Sequence, residues 1–485
     1  MTDDSAAERR SDIRSKVLHG LKWTAFVRFS AQIISWAMTI VVIRFLTPDD
    51  YGLKAMAEVM FSFLLLLSSA GIGSAVIQAS ELSKRQLQQI FAVLLVVNGV
   101  LCVLQFVTAS FVAAYYNDPR VTLLLRVLAL GFLIVPFRTM PFALLARRME
   151  FKRRSLVELF GAVSAGLLTL ALALMGFGVW SLIWGQLAGL LIPTIGFHMV
   201  APWLHWPVFS VRGAGQLIRF GTILTGGDLV YFLYSRADML IAGPLLGAKL
   251  LGYYAVASDL ASLPRVKLMP LLHQVAFPAY ARMKDQPDHV ARYFLKATRY
   301  CSLIIFPFFF GMAGVAEPFV VLVLGEEWRA SVLPLVLLCL LMPLRAMNTL
   351  FAPMVNALGR PEVQFVNGLF TLAVMAVGFF VGVRYGVIGL CYAWIVAFPI
   401  AFLFCANRSL AVVNLSLLLF LQTLLPATIL GASMFGCLLL MAAFLDTLNW
   451  LSFMAMVFMG ALIYIGMLFV LFREYFVELL AFIRR

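Results

Sequence analysis

The chain has 485 residues, 63% hydrophobic and 12% charged, with a mean hydropathy of +0.97. A soluble domain is nearer half apolar and a quarter charged, so these values exclude a water-soluble globular protein and make lipid the solvent for most of the chain. The formal net charge of +14 then belongs to loops flanking a membrane rather than to nucleic-acid binding.

The first 16 residues are polar and lack the apolar run and small-residue cleavage site of a signal peptide. From Leu18 onward, apolar runs of about 20 residues follow one another, each long enough to cross a bilayer. The predicted spans are 23–46, 54–79, 87–113, 121–145, 156–175, 178–200, 214–243, 252–280, 294–314, 331–356, 363–383, 386–406, 412–444 and 448–472. They are continuously apolar, not alternating, and therefore helices rather than barrel strands. The expected fold is all-α, a polytopic membrane protein of fourteen transmembrane helices. The six cysteines lie in or beside these runs and read as small buried hydrophobes. Neither HExxH nor CxxC nor a GxxxxGK[ST] phosphate loop occurs, so no metal or other cofactor is expected.

With a cytoplasmic N-terminus, the loops and termini on that side carry twenty-three Lys and Arg against five on the other. This bias predicts that both termini are cytoplasmic. The run ARRMEFKRRS (146–155) belongs to it as a topology signal, with a headgroup site for anionic lipid as the alternative reading.

FLTPDDYGLKAMA (45–57) returns as LLGAKLLGYYAVA (245–257): Leu46, Gly52, Ala55 and Ala57 recur as Leu246, Gly252, Ala255 and Ala257. A weaker echo relates FGVWSL (177–182) to YGVIGL (385–390). Six helices separate the copies, so both halves enter the membrane from the same side, related by an axis along its normal. The expected organisation is a segment 1–22, an N-lobe 23–212, a C-lobe 213–408, accessory helices 409–472 and a tail 473–485. Two matched lobes suit rocking transport by alternating access.

Nine cations inside predicted spans stand outside the loop count: Arg28, Arg44, Arg126, Arg138, Arg219, Arg236, Arg265, Lys267 and Arg345. Arg44, Arg126 and Arg219 lie near span ends, where long side chains snorkel. Five acids share the spans: Glu58, Asp228, Asp238, Asp259 and Glu158. A charge at the bilayer centre costs about 2.5–3.5 kcal/mol on insertion scales. Polar stripes follow helical spacing: Arg28, Gln32 and Ser35; Asp228, Tyr231, Ser235 and Asp238; Arg345, Asn348 and Asn356; Gln364, Asn367 and Thr371. A surplus of cations in a low-dielectric interior calls for an anionic guest, and the planar guanidinium fork suits phosphate. These residues read as a secondary transporter of an anionic, phosphorylated substrate. The four carboxylates Glu58, Asp228, Asp238 and Asp259 could couple transport to a proton or Na⁺, or could neutralise arginines.

An ordered set of motifs sharpens this reading. GLKWTAFVRFSAQ (20–32), RFLTPDDYGLKAMA (44–57), GIGSAVIQ (71–78), RRMEFKR (147–153), GFGVWSLI (176–183), LIRFG (217–221), the stretch 234–264, QVAFPAYARM (274–283), GEEW (325–328) and NALGRPE (356–362) together resemble the polysaccharide transporter family of Wzx-type lipid-linked oligosaccharide flippases. That family belongs to the multidrug/oligosaccharidyl-lipid/polysaccharide exporter superfamily. The resemblance implies a bacterial inner-membrane protein with twelve core helices in two lobes. It implies no enzyme, a substrate of undecaprenyl-pyrophosphate carrying an oligosaccharide, and polysaccharide polymerase and export machinery as partners. Pyrophosphate would then rest on Arg28, Arg138, Arg236, Arg265, Lys267 and Arg345, and sugars on Gln32, Asn348, Asn356, Gln364, Asn367 and Tyr231. Arg265 and Lys267 depart from the family, which usually has an apolar run there. The alternatives are a lipid II flippase, a multidrug exporter, which would want an acidic interior, and a membrane polymerase or ligase, which would need a large outward catalytic loop.

Overall fold

A computed structural model describes residues 34–69, 76, 83–148, 150–203, 205–210 and 215–475, with the side chains of all of these but 69, 215–228, 267, 268, 270, 271, 274 and 275. The described residues are helical throughout, without strands. The helices are α1 (Ile34–Phe45), α2 (Pro48–Ser69), α3 (Lys84–Tyr115), α4 (Arg120–Arg147), α5 (Phe151–Leu174), α6 (Val179–Val200) and α7 (Gly215–Arg282). They continue as α8 (Pro287–Gly314), α9 (Val332–Asn348), α10 (Phe351–Ala357), α11 (Pro361–Gly382), α12 (Gly386–Ala411), α13 (Leu417–Phe444) and α14 (Trp450–Leu471).

Among the described residues, eleven helical runs are long and apolar enough to cross a membrane, against fourteen predicted spans. Three of the eleven contain a break, and in Glu326–Ala357 it is the turn Thr349–Leu350. Leu229–Val266 is interrupted at Gly247 (φ 72°, ψ 172°), and Pro361–Ala411 at the 3₁₀ turn Val383–Tyr385 before Gly386 (φ 74°). Residues 23–33 of the first predicted span lie outside the described residues, and its described part holds the short helix α1.

The chain forms two compact units, Met1–Leu229 and Val230–Arg485. In the first, α3 opens with a reciprocal cap: Ser83 Oγ accepts from the Gln86 N–H at 3.2 Å and Gln86 Oε1 accepts from the Ser83 N–H at 2.9 Å. The α3–α4 hairpin turns at Asn117 (φ 55°), a residue that tolerates left-handed backbone. Arg120 closes that corner between Asp118 at 2.7 Å and Asp49 at 2.6 Å. Asp50 Oδ1 accepts the Val179 N–H at 2.8 Å and so satisfies a free donor at the start of α6. Helices α5 and α6 approach closely because small residues face each other; a Cβ on Gly161 would press into Pro193 and one on Gly185 into Thr169.

The second unit is centred on aromatic packing. Phe294, Phe351, Phe402 and Phe420, from α8, α10, α12 and α13, stack with centroid separations of 5.4–6.2 Å. The predicted accessory helices belong to this unit. Gly431 of α13 lies against Phe310, and the Tyr464 hydroxyl of α14 donates to the Leu303 carbonyl at 2.8 Å. Between α8 and α9 a π-helical turn (Phe319–Leu324) is followed by a 3₁₀ turn (Glu326–Ser331). There Trp328 is buried against Tyr253, and Arg329 pairs with Glu317 and Glu326.

The sequence repeat has a backbone counterpart. The chain leaves helical geometry between α1 and α2 at Leu46–Thr47, and inside α7 at Gly247. After each break Gly52, Ala55, Ala57 and Gly252, Ala255, Ala257 are all buried. In the second echo, Gly178 (φ 53°) and Gly386 (φ 74°) each stand where a helix begins.

Candidate functional site

The break at Gly247 decides which side chains of α7 can meet. Tyr231 and Arg265 are 34 residues apart, about 50 Å along an unbroken helix. Yet Arg265 Nη1 donates to the Tyr231 hydroxyl at 3.2 Å. Likewise the Tyr254 hydroxyl donates to Asp238 Oδ2 at 2.7 Å. Gly247 therefore turns α7 into a helical hairpin, and the polar stripes of its two arms face each other. The turn needs glycine, since φ 72° with ψ 172° is closed to other residues.

Helices α9 and α12 complete the arrangement. Arg345 of α9 lays its guanidinium on the Trp394 ring of α12, 3.9 Å from the centroid. The Trp394 indole N–H donates to the Tyr254 oxygen at 2.7 Å, and Asp238 Oδ1 accepts the Met239 N–H at 2.8 Å. The result is a continuous buried series, Arg345, Trp394, Tyr254, Asp238. Arg265 (9% exposed) and Arg345 (7% exposed) are rare cases of arginines inside apolar helices. Tyr231, at 46% exposed, carries the cluster to the surface of the unit and packs edge-on against Tyr234. Arg265, Arg345 and Arg236 all act electrostatically on Tyr231, while Asp238 is the carboxylate acting on Arg345. Among the described side chains, the buried Arg265 and Arg345 stand with Asp238, and that carboxylate already accepts two hydrogen bonds. Arg265 Nε is buried without a hydrogen-bond partner, a donor that a further acceptor would satisfy. The arrangement can bind an anion bearing several oxygens.

The structure thus brings together Tyr231, Asp238, Arg265 and Arg345 from the residues singled out in the sequence, and Arg236 lies on the same arm of α7 as Tyr231. Arg28 and Gln32 lie outside the described residues, as do the side chains of Asp228 and Lys267. Arg138 is in the first unit, with Glu158 and Arg154 as its charged neighbours. Glu58 pairs with Lys54 at 3.0 Å. Asp259, Asn356 and Gln364 are exposed. Asn348 is half-buried on α9, its Oδ1 without a partner. Asn367 is spent on helix contact: its amide donates to Ser409 Oγ at 3.1 Å and to the Cys405 carbonyl at 3.5 Å. Sequence reasoning missed Tyr234, Tyr254 and Trp394. The signal was present for the last two, because a tyrosine hydroxyl or indole N–H within an apolar run needs a buried partner.

Helices crossing a membrane and a buried cationic cluster define a polytopic membrane protein of transporter fold. The fold matches a lipid II flippase, MurJ, in an inward closed conformation, with a TM-score of 0.76 at 12% identity over 94% of this chain and 99% of that one. It also matches an inward-facing multidrug transporter of the MATE family, with a TM-score of 0.58 at 16% identity over 80% of this chain and 98% of that one. The family model described as "Polysaccharide biosynthesis protein" matches residues 41–333, and the chain belongs to that family. Relatives include the lipopolysaccharide biosynthesis protein WzxC of Escherichia coli K12, 26% identical over 74% of this chain and 73% of that one. The teichuronic acid biosynthesis protein TuaB of Bacillus subtilis 168 is 27% identical over 87% and 88%. The succinoglycan biosynthesis transport protein ExoT of Rhizobium meliloti 1021 is 24% identical over 72% and 71%. Family and fold point to a transporter of polysaccharide assembly rather than to an enzyme.

Proposed function

We propose that this protein is a flippase of the bacterial inner membrane, with both termini cytoplasmic. It moves undecaprenyl-pyrophosphate-linked oligosaccharide units from the cytoplasmic to the periplasmic leaflet by alternating access. The observation that carries the reading is the pair of buried guanidiniums, Arg265 on the Tyr231 hydroxyl and Arg345 on the Trp394 ring, inside apolar helices. A pyrophosphate presents enough oxygens to engage more than one guanidinium fork, whereas a cationic drug would be repelled. The relatives' names, which concern lipopolysaccharide, teichuronic acid and succinoglycan, support a glycan on that lipid. Arg345 and Arg265 hold the pyrophosphate, and the half-exposed Tyr231 meets the first sugar. Arg28, Lys267 and Arg138 are further candidates for the path of the pyrophosphate, and Gln32, Asn348, Asn356 and Gln364 for the path of the sugars.

The fold shared with a lipid II flippase favours a second reading, in which lipid II itself is the substrate. One assay separates the two. Purified protein in liposomes is offered undecaprenyl-pyrophosphate oligosaccharides or lipid II, and transfer between leaflets is scored. The first reading predicts transfer of the oligosaccharide lipid and not of lipid II. It further predicts loss of transfer in Arg345→Ala with normal expression and melting. Transfer of lipid II alone would replace the first reading with the second, and normal transfer by a folded Arg345→Ala protein would remove the site assignment.

A further inference from the structure

Within the first unit, the start of α3, the end of α4, the start of α5 and the end of α6 meet at one end. Two packing clusters bring them there. Trp203, just past α6, is buried with Ile90, Phe91, Met140 and Ala143. Leu145 and Phe197 pack with Ala201 and Val157. The segment 201–210 is pinned across this end: Trp203 stacks on His205 with centroids 4.3 Å apart, and the Val208 N–H donates to the Gln88 carbonyl at 3.3 Å. The pinned segment displays Trp206 (88% exposed) and Phe209 (74% exposed) outward.

The charge at this end is one-sided. Residues 83–90, 145–158 and 201–210 hold seven Lys or Arg and two acids. Both acids are already engaged by arginines, Glu150 with Arg153 at 2.7 Å and Glu158 with Arg154 at 3.5 Å. Arg85, Arg148, Lys152 and Arg153 are exposed. Helix α5 begins with Lys152, Arg153 and Arg154 in its first turns, with Glu150 at its cap as the acid beside them. Across those stretches the cations outnumber the acids seven to two.

We propose that this end of the first unit is a docking surface for acidic phospholipid headgroups. Arg148, Lys152, Arg153 and Arg85 take the phosphates, and the Trp206 and Phe209 rings sit at headgroup level among the first carbons of the acyl chains. A basic patch beside two outward rings favours acidic lipids over zwitterionic ones. The inference rests on the membrane-spanning fold and not on the substrate proposed above.

The test is electron paramagnetic resonance on the full chain in phosphatidylcholine vesicles, comparing the immobilised fractions of spin-labelled phosphatidylglycerol and spin-labelled phosphatidylcholine. The wild type should immobilise phosphatidylglycerol several-fold in preference, and the preference should fall toward equality in about 1 M salt, where exposed charges are screened. The variant Arg148→Gln/Lys152→Gln/Arg153→Gln should lose most of the preference, and Lys152→Arg/Arg153→Lys should keep it. Trp206→Ala/Phe209→Ala should weaken immobilisation of both lipids without changing their ratio. Should the triple variant fail to fold, Arg85→Gln/Arg148→Gln serves in its place. Equal immobilisation of the two lipids by the wild type, or a preference that persists in a folded Gln variant, overturns the proposal.

Discussion

Arg345 shows how a buried cation can be kept available. Stacking on Trp394 at 3.9 Å occupies the face of the guanidinium and leaves its edge, where the donors lie, to meet oxygen. The indole is fixed in turn by Tyr254, and Tyr254 by Asp238. Tyr254→Phe removes both of those hydrogen bonds inside the helices. It should lower stability by about 1–2 kcal/mol per bond, read as a lower melting temperature in detergent; an unchanged melt would show the series to be slack. Asp118 lies in the α3–α4 turn, outside the spans, and hydrogen bonding from Arg120 holds its carboxyl below the usual carboxylate range. The contribution of that pair to stability is therefore complete above the unfolded carboxyl's pKa of about 4. It is lost as pH falls through the lower folded value. Asp118→Asn should lower the melting temperature at pH 7, and the difference from wild type should close on acidification below pH 4. A gap that widens in acid would contradict this.

Helices owe their arrangement here to a few glycines. Gly247 has nothing within 4 Å of where a Cβ would stand, so Gly247→Ala meets no steric clash and tests backbone strain alone. It should cost about 1–3 kcal/mol in stability, and it should weaken anion binding too, because the same residue brings Arg265 to Tyr231. Gly382 of α11 and Gly389 of α12 let two backbones touch: a Cβ on either would collide with the other's carbonyl. Gly389→Val should therefore disrupt the α11–α12 hairpin and reduce the yield of folded protein, measured by size-exclusion profile. Much of this was legible in the sequence. The recurrence of Gly52 as Gly252 marked the two breaks, and apolar runs located α3 within a few residues of Lys84–Tyr115. The conformation of the second break was not legible. Repetition says that a turn recurs, but which single residue leaves helical geometry depends on packing on both sides of it. No local pattern announces the π-helical turn at Phe319–Leu324 either.

At the scale of the molecule, composition excluded water as solvent, and charge in the spans pointed to an anion. Those two inferences required only counting. Pairing did not follow from counting. Tyr231 and Asp238 belong to one stripe and Arg345 to another, and their meeting depends on the fold of α7 and on Trp394, an apolar-looking residue in an apolar helix. Asn367 fell on such a stripe too, yet its amide holds α11 to α12, because a helical stripe looks the same whether it binds a ligand or a neighbouring helix. The central claim is that the guanidiniums gathered around Tyr231 bind pyrophosphate. Calorimetric titration of the purified protein with a short-chain polyprenyl pyrophosphate, beside the matching monophosphate, tests it most directly. The account predicts tighter binding of the pyrophosphate and a loss of about tenfold or more in Arg345→Ala and in Arg265→Ala, each melting as a folded protein. Equal affinity for the two phosphates, or undiminished binding in both variants, would contradict it.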